Sequence, residues 1–207
     1  LEEALLDERI DLAVHSAKDM PMDFPKGLGI GAALKRGPVE DVIVTKDGTK
    51  LVDLKPGSVV GTGSLRRELQ IKKINPLIRV KLIRGNVQTR LRKLEEGQYD
   101  AIVLASAGLE RLDMVSGGEF HFEKLSPDQC LPAAGQAILA VETKNGHLTE
   151  VMEALNDAEA MAMLSAERAY LKAIDGSCNG ESGGNEAFYG SAVCSGCEAC
   201  KTGVRFH

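Results

Sequence analysis

Five arginines stand out because each lies where an anion could bind at the end of a predicted strand or the start of a predicted helix. Arg66 and Arg67 follow a Gly-Thr-Gly-Ser loop, Arg84 ends a strand, Arg90 lies one turn into the next helix, and Arg111 follows a third strand. A guanidinium group forms paired hydrogen bonds with carboxylates and phosphates, so arginine favours planar, bidentate recognition of anions. A single arginine of this kind is usually a solvated surface charge. Five in a chain of net charge −5 indicate a cleft for a polyanionic ligand.

The glycine-rich loop from Gly61 to Ser64 differs from the known nucleotide-binding loops. The pattern Gly-x-x-x-x-Gly-Lys-Ser/Thr is absent, and Arg66 stands where a dinucleotide fingerprint would need a third glycine. Thr62 and Ser64 instead add hydroxyl donors near the first turn of a helix, where free N–H groups and the helix dipole already favour anions. A ligand with several carboxylates fits this loop better than a nucleoside triphosphate or NAD.

Asp19 and Cys178 are the two other residues whose surroundings indicate chemistry. Asp19 lies in His-Ser-Ala-Lys-Asp-Met-Pro, at the expected carboxyl end of a strand, where a carboxylate can move a proton or stabilise a developing cation. The alternative is an aspartate that caps the following turn. Cys178 follows a long helical stretch in Asp-Gly-Ser-Cys and could be a nucleophile or an attachment point, or else a small core residue.

A cysteine cluster near the end of the sequence allows a metal site but does not establish one. Cys194, Cys197 and Cys200 form two overlapping Cys-x-x-Cys units, a spacing seen in zinc and iron–sulfur sites. A fourth ligand is not obvious, although His207 is near. The stretch from Gly176 is polar and glycine-rich, so an unstructured or non-native tail is the favoured alternative and we assign no metal.

A strand–loop–helix unit that repeats three times must position the arginines. Its strands are predicted at 58–60, 79–83 and 101–104, and its helices at 65–74, 87–95 and 108–112. Such alternation indicates a parallel or mixed sheet covered on both faces, with ligands bound beyond the carboxyl ends of the strands. Further strands are predicted at 10–14, 28–34, 41–45 and 137–141, and helices at 1–9 and, as one or two pieces, at 148–174.

Composition limits the class of protein. The 207 residues are 43% hydrophobic and 27% charged, as in soluble proteins with one large or two small domains. No apolar run approaches the ~18 residues of a membrane-spanning helix, and the net negative charge disfavours bulk binding to nucleic acid. Five cysteines without a secretory signal favour the reducing cytosol. Because Leu1 opens in the middle of a helical pattern, we expect a truncated N-terminus.

Six segments together resemble one enzyme family, hydroxymethylbilane synthase, also called porphobilinogen deaminase. The similarity runs in the family's order from residue 1 to about 178 and is carried by the segments 11–21, 60–67, 83–91, 99–112, 131–136 and 167–178. The resemblance implies an α/β protein with two domains like type II periplasmic binding proteins, each with a mixed sheet, and a truncated small α/β third domain. It divides the chain into domain 1 (1–35 and 133–155), domain 2 (36–132) and a remnant of domain 3 (156–207).

The resemblance also implies a transferase that condenses porphobilinogen units on a covalent dipyrromethane cofactor, releases ammonia and yields the linear tetrapyrrole hydroxymethylbilane. Asp19 matches the catalytic carboxylate, and Cys178 matches the cysteine that holds the cofactor by a thioether. The positions that match residues binding the acetate and propionate groups of cofactor and substrate are Lys18, Thr62, Ser64, Arg66, Arg67, Arg84, Arg90 and, for substrate, Arg111.

We therefore expect a cytoplasmic monomer whose partner is the small molecule porphobilinogen, with neither nucleic acid nor membrane involved. Two departures from the family leave an alternative open. The family's N-terminal segment is absent, and the sequence after Cys178 differs from the family's third domain. The alternative is an inactive fragment or a non-catalytic module of the same fold that binds polycarboxylates.

Overall fold

The computed structural model describes residues 1–114 and 120–173. Strands and helices alternate between residues 59 and 125. In chain order they are α1 (Glu2–Leu6), β1 (Leu12–Ser16), β2 (Leu28–Ala33), β3 (Asp41–Thr45), β4 (Val59–Gly61), α2 (Leu65–Ile74), β5 (Arg79–Lys81), α3 (Val87–Glu95), β6 (Ala101–Ala105), α4 (Ser106–Arg111), β7 (His121–Leu125), β8 (Leu139–Lys144), α5 (Thr149–Leu155) and α6 (Ala158–Ala173). Two short 3-10 turns, Ala17–Asp19 and Leu51–Asp53, complete the set.

The chain divides into two compact units. Of the described residues, 1–37 and 133–173 form the first unit, and 38–114 with 120–132 form the second. Helix α6 begins in the segment that the resemblance assigned to a third domain. Its Ala160 and Leu164 pack in one cluster with Ala17 and Ile138 of the first unit. The three-domain division stays a prediction, because residues 174–207 lie outside the described part.

The second unit contains a five-stranded mixed sheet in the order β5-β4-β6-β3-β7. Strand β4 runs parallel to β5 and β6, whereas β3 is antiparallel to both β6 and β7. Side chains of the central strands alternate between two cores: Val103 packs with Ile71 of α2 on one face, and Ile102 packs with Leu91 of α3 on the other. The predicted mixed sheet with both faces covered is confirmed.

Strand β7 is an addition that the sequence patterns did not predict. It pairs with β3 in antiparallel register from Asp41–Leu125 to Thr45–His121. Strand β3 is consequently an interior strand and not an edge strand, and all five of its residues are buried. The first residue of this strand, Asp41, thus brings a carboxylate into an otherwise largely apolar layer.

The first unit contains a three-stranded antiparallel sheet in the order β1-β8-β2. The helical stretch predicted at 148–174 forms two helices, α5 and α6, separated at Asn156 and Asp157. The Asn156 side chain accepts a hydrogen bond from the backbone N–H of Ala33 (3.0 Å), and Asp157 caps α6 by accepting from Ala160 N–H (2.8 Å). These two polar residues therefore end one helix, begin the next and fix both to β2.

None of the helices in the described ranges is long and apolar enough to span a membrane.

Candidate functional site

The segment with Lys18 and Asp19 forms a short 3-10 turn directly after β1. Ala17 and Met20 are buried on either side of the pair, and the backbone N–H of Ala17 donates to Ile138 O at 2.9 Å. These anchors leave Asp19 exposed to solvent at the end of the turn. An exposed carboxylate on an anchored backbone is suited to proton transfer or to stabilising a nearby cation.

Lys18 contacts the loop that precedes β8. Its ammonium group donates a hydrogen bond of 3.4 Å to Oε1 of the fully buried Gln136. Gly135 has φ +71°, and a Cβ atom there would lie 3.1 Å from the backbone carbon of Ala17. Glycine is needed at this position because a side chain would press on the turn.

An ion pair holds the same loop from the other side. Arg36 donates two hydrogen bonds to the carboxylate of Glu167 on α6, at 2.6 and 3.2 Å, and its Nε donates to Gln136 O at 3.0 Å. Glu167 also accepts from the backbone N–H of Gly135 at 2.7 Å. Helix α6 and Arg36 thereby fix the loop on which Lys18 rests. Neither Arg36 nor Glu167 was among the predicted site residues.

A second polar pair in the first unit was also missed. His15 on β1 lies 2.9 Å from Oε2 of Glu142 on β8. The Glu142 side chain is completely buried, and its Oε1 has no hydrogen-bond partner in the described part of the chain. This pair links β1 to β8 four residues before Asp19.

In the second unit, the hydroxyl oxygens of Thr62 and Ser64 order the start of α2. Thr62 is buried, and its Oγ1 accepts from the backbone N–H of Ser64 at 3.1 Å. Ser64 is the N-cap of α2, with its Oγ 3.4 Å from the backbone nitrogen of Arg67. A hydroxyl that accepts a hydrogen bond can still donate its own proton. Both hydroxyls therefore keep a donor for an anion at this helix start.

Arg66 and Arg67 share one buried carboxylate, that of Asp41. Arg66 donates through Nη2 to Oδ2 of Asp41 at 2.6 Å, and Arg67 donates to Oδ1 through Nε (3.1 Å) and Nη2 (2.7 Å). Arg66 also donates to Leu131 O, and Arg67 to Val103 O at 3.3 Å. The two arginine side chains are 14% and 8% exposed. Asp41 was not among the predicted site residues, although a charged residue next to Val-Ile-Val is a signal in the sequence.

Charge–charge contacts decide the protonation of this cluster. Burial alone would raise the pKa of Asp41, but the positive charges of Arg67 and Arg66 and their hydrogen bonds outweigh it and lower the pKa to about 2. Burial and the nearby Asp41 charge raise the pKa of the Cys130 thiol to about 11. Asp41 is therefore ionised and Cys130 neutral at physiological pH. Two guanidinium groups and one carboxylate leave the cluster with one positive charge in excess.

The remaining arginines are more open to solvent. Arg84 is exposed, and Arg90 is half-buried, with its Nε donating to Gly85 O at 2.7 Å. Gly85 has φ +119°, and an added Cβ would lie 2.7 Å from Thr89 Cγ2, so this turn requires glycine. Arg111 is exposed in the last turn of α4, because this helix begins directly at the end of β6.

The loops that follow β4, β5 and β6 lie at one edge of the sheet. Strand β4 pairs in parallel with both neighbours, so the three strands end on the same side. A Cβ added to Gly63 would lie 3.4 Å from Ile83 O, and one added to Gly108 would lie 3.8 Å from Val87 Cγ2. The structure thus places the arginine-bearing segments side by side, as the strand pattern predicted. Their binding of carboxylates stays a prediction.

Four cysteines of interest lie outside the described residues: Cys178, Cys194, Cys197 and Cys200. Within residues 1–114 and 120–173, no three His, Cys, Asp or Glu side chains are grouped so that they could hold a metal ion.

The matching family profile and the similar relatives below carry the same name, porphobilinogen deaminase. The profile of the family described as porphobilinogen deaminase, dipyromethane cofactor binding domain, matches residues 1–152. The porphobilinogen deaminase of Oceanobacillus iheyensis is 43% identical over 195 residues, covering 93% of this chain and 62% of the relative. Those of Geobacillus kaustophilus and Neisseria meningitidis are each 47% identical over 180 residues, covering 86% of this chain and 58% and 57% of the relatives. The chain therefore spans about 60% of the length of these relatives.

Among solved structures, the chain is similar to the periplasmic VFT2 domain of Bordetella pertussis BvgS, with a TM-score of 0.45 and 19% identity. This match covers 79% of this chain and 70% of the other. The Salmonella typhimurium periplasmic binding protein STM4351, whose structure is described in terms of high arginine specificity, matches with a TM-score of 0.44 and 15% identity, over 82% of this chain and 71% of the other.

Proposed function

Because this chain belongs to the porphobilinogen deaminase family, we propose that it contributes to hydroxymethylbilane synthase activity, the condensation of porphobilinogen units with loss of ammonia. The observation that carries the proposal is the exposed Asp19 on its anchored turn, within the segment matched by the family profile. A non-catalytic module that binds polycarboxylates would not need this carboxylate, whereas the proposed reaction needs it.

The chemistry of the described donors fits the cofactor named for this family. The acetate and propionate groups of a dipyrromethane are carboxylates, which need cations and N–H or O–H donors. The second unit offers the excess positive charge at Arg66 and Arg67, the exposed Arg84, and the hydroxyls of Thr62 and Ser64. When bound, the cofactor supplies the pyrrole carbon to which the first substrate unit is joined. Cys178 would hold it.

We assign separate tasks to the remaining residues. Lys18 would bind a carboxylate group while Gln136 and the loop beneath it keep the lysine in place. Asp19 would accept a hydrogen bond from the aminomethyl group of porphobilinogen and stabilise the positive charge that develops on the substrate as ammonia leaves. Arg90 would bind cofactor and Arg111 substrate. Each of these assignments predicts which step a substitution affects.

The catalytic assignment is tested with Asp19→Asn, which keeps the size of the side chain and removes its charge. We expect ammonia release from porphobilinogen to fall by about two orders of magnitude or more, the usual contribution of a positioned acid or base. Asp23→Asn is the matched control, since Asp23 is an exposed aspartate near the same turn and contacts Lys172. Equal rates for wild type and Asp19→Asn would show that the proposed role is wrong.

Attachment of the cofactor is tested by intact mass after purification from cells that make porphobilinogen. We expect a mass increase of two linked pyrrole units that disappears in Cys178→Ala. Cys194→Ala is the control, because it removes another thiol from the same part of the sequence. An unmodified mass, together with binding of porphobilinogen but no turnover, would favour the non-catalytic module instead.

We also propose that the protein is a monomer and acts in the cytoplasm. The buried Cys130 is a free thiol in the described part of the chain, which is consistent with a reducing compartment. Sedimentation equilibrium would detect a dimer, and fractionation of the source cells would test the location.

A further inference from the structure

We propose that Asp41 is a positioning residue that orients the guanidinium groups of Arg66 and Arg67 for one carboxylate of the ligand. This inference deepens the proposed function and rests on it for the chemistry of the ligand, a pyrrole that carries acetate and propionate groups; porphobilinogen has the same groups as the cofactor and serves as the probe. The inference assigns a role to a residue that would not itself touch the ligand. Asp41 acts through both arginines.

The geometry of the cluster supports this role. Asp41 is fully buried at the start of β3, and its two oxygens serve different arginines: Oδ2 accepts from Arg66, and Oδ1 accepts twice from Arg67. Neighbouring arginines at the start of a helix would otherwise repel each other and adopt many rotamers. A carboxylate between them removes the repulsion and fixes both planes.

Further contacts of the two arginines also hold them in place. Arg66 is also held by Leu131 O, and Arg67 by Val103 O, so each guanidinium is fixed at more than one point. Cys130 adds a thiol 3.4 Å from Oδ2 of Asp41. The two guanidinium groups are therefore oriented before a ligand arrives. This orientation lowers the entropic cost of ordering the side chains on binding.

The net charge of the cluster fits one ligand carboxylate. With Asp41 ionised, the cluster carries two positive charges and one negative charge. The excess charge matches one ligand carboxylate, so a bound carboxylate would make the cluster neutral. Without Asp41 the cluster would carry two positive charges but lose its fixed geometry. Charge and geometry therefore predict opposite effects on affinity when Asp41 is replaced by asparagine.

The test is calorimetric titration with porphobilinogen, with Asp19→Asn as the common background so that no turnover occurs. Adding Asp41→Asn should weaken binding by about ten-fold or more, despite the more positive cluster. Asp41→Glu keeps the charge and should restore part of the affinity. Val44→Ala is the control for stability, because Val44 is buried on the same strand but packs with the core on the α3 face. It should bind like the background protein.

Three outcomes would overturn the proposal. Folded Asp41→Asn protein that binds porphobilinogen as tightly as the background, or more tightly, would show that charge alone matters. Weaker binding in Val44→Ala to the same extent would show a general effect of stability. Absence of binding to the background protein would show that the cluster holds no ligand carboxylate. Weaker binding in Asp41→Asn, together with no turnover in the unsubstituted chain, would instead contradict the proposed function and support the role of Asp41.

If Asp41→Asn does not fold, Arg67→Lys replaces it in the same assay. Lysine keeps the positive charge but cannot make the two hydrogen bonds that Arg67 donates to Oδ1 of Asp41. We expect about ten-fold weaker binding, and unchanged affinity would overturn the proposal.

Discussion

Arg67 and Arg84 belong to successive strand–loop–helix units, but Arg67 lies in the first turn of α2 whereas Arg84 lies in the loop before α3, and their surroundings differ. The Arg67 side chain is 8% exposed and bound to a buried carboxylate, whereas Arg84 is exposed. The difference arises from β3, which brings Asp41 beneath the start of α2. No described ion pair provides an equivalent partner to Arg84. The comparison shows that a carboxylate distant in sequence makes one arginine rigid, whereas the arginine of the next unit stays open to solvent.

Removing the shared carboxylate should have the largest effect on stability. Asp41→Ala leaves two mostly buried guanidinium groups without their anion, and we expect the free energy of unfolding to fall by about 3–5 kcal/mol. Urea denaturation measures this loss. Glu110→Ala is the comparison, since its pair with Lys124 is exposed and should contribute less than ~1 kcal/mol. Similar losses in both variants would contradict the distinction between buried and exposed pairs.

Acid should destabilise the protein through the same carboxylate. The pKa of Asp41 is about 2 in the folded protein, below the ~3.9 of an unfolded chain, so its ionisation stabilises the fold above pH 4. This contribution, about 2 kcal/mol, should disappear as the pH falls from 4 toward 2. Urea unfolding at several pH values should show a shallower acid dependence in Asp41→Asn. Parallel curves for variant and wild type would contradict the assignment.

An intermediate effect is expected for the ion pair of the first unit. Glu167→Gln weakens both the contact with Arg36 and the hydrogen bond from Gly135, and should cost about 1–2 kcal/mol of unfolding free energy. The loop beneath Lys18 should also loosen, so amide hydrogen exchange at Gln136 should accelerate relative to wild type. Unchanged exchange there would show that Glu167 does not hold the loop.

The smallest effect is expected for the exposed arginine. Arg84→Ala should change the free energy of unfolding by no more than ~0.5 kcal/mol, because the side chain is open to solvent. Its effect on porphobilinogen binding should nevertheless be measurable by the same titration. A large loss of stability would mean that Arg84 is as constrained as Arg67.

Local patterns were enough to predict much of the fold. Helices α2 and α3 have the predicted bounds because a residue that favours the N-cap position, Ser64 or Asn86, directly precedes each of them in the sequence. Strand β7 was missed because its five residues, His-Phe-Glu-Lys-Leu, carry too few apolar positions to signal a strand by themselves. Its existence depends on pairing with β3.

The site was predicted less completely for the same reason. The positions of the arginines and the Lys18–Asp19 turn could be read from motifs, but their partners are distant in sequence. Asp41 lies 25 residues from Arg66, and Gln136 lies 118 residues from Lys18. Such partners are selected by tertiary structure, and no local propensity specifies them. A charged residue within an apolar strand is the signal that could have indicated Asp41.

The strand order of the first unit has a consequence for biosynthesis. Strands β1 and β2 do not pair with each other, because β8 lies between them. A ribosome must therefore synthesise the whole of residues 38–132 before the central strand emerges. The second unit is continuous in sequence and can acquire its structure during this interval, before β8 is available to β1 and β2. A chain that ends before residue 139 and has been released from the ribosome should be protected from protease in the second unit and cleaved readily near β1.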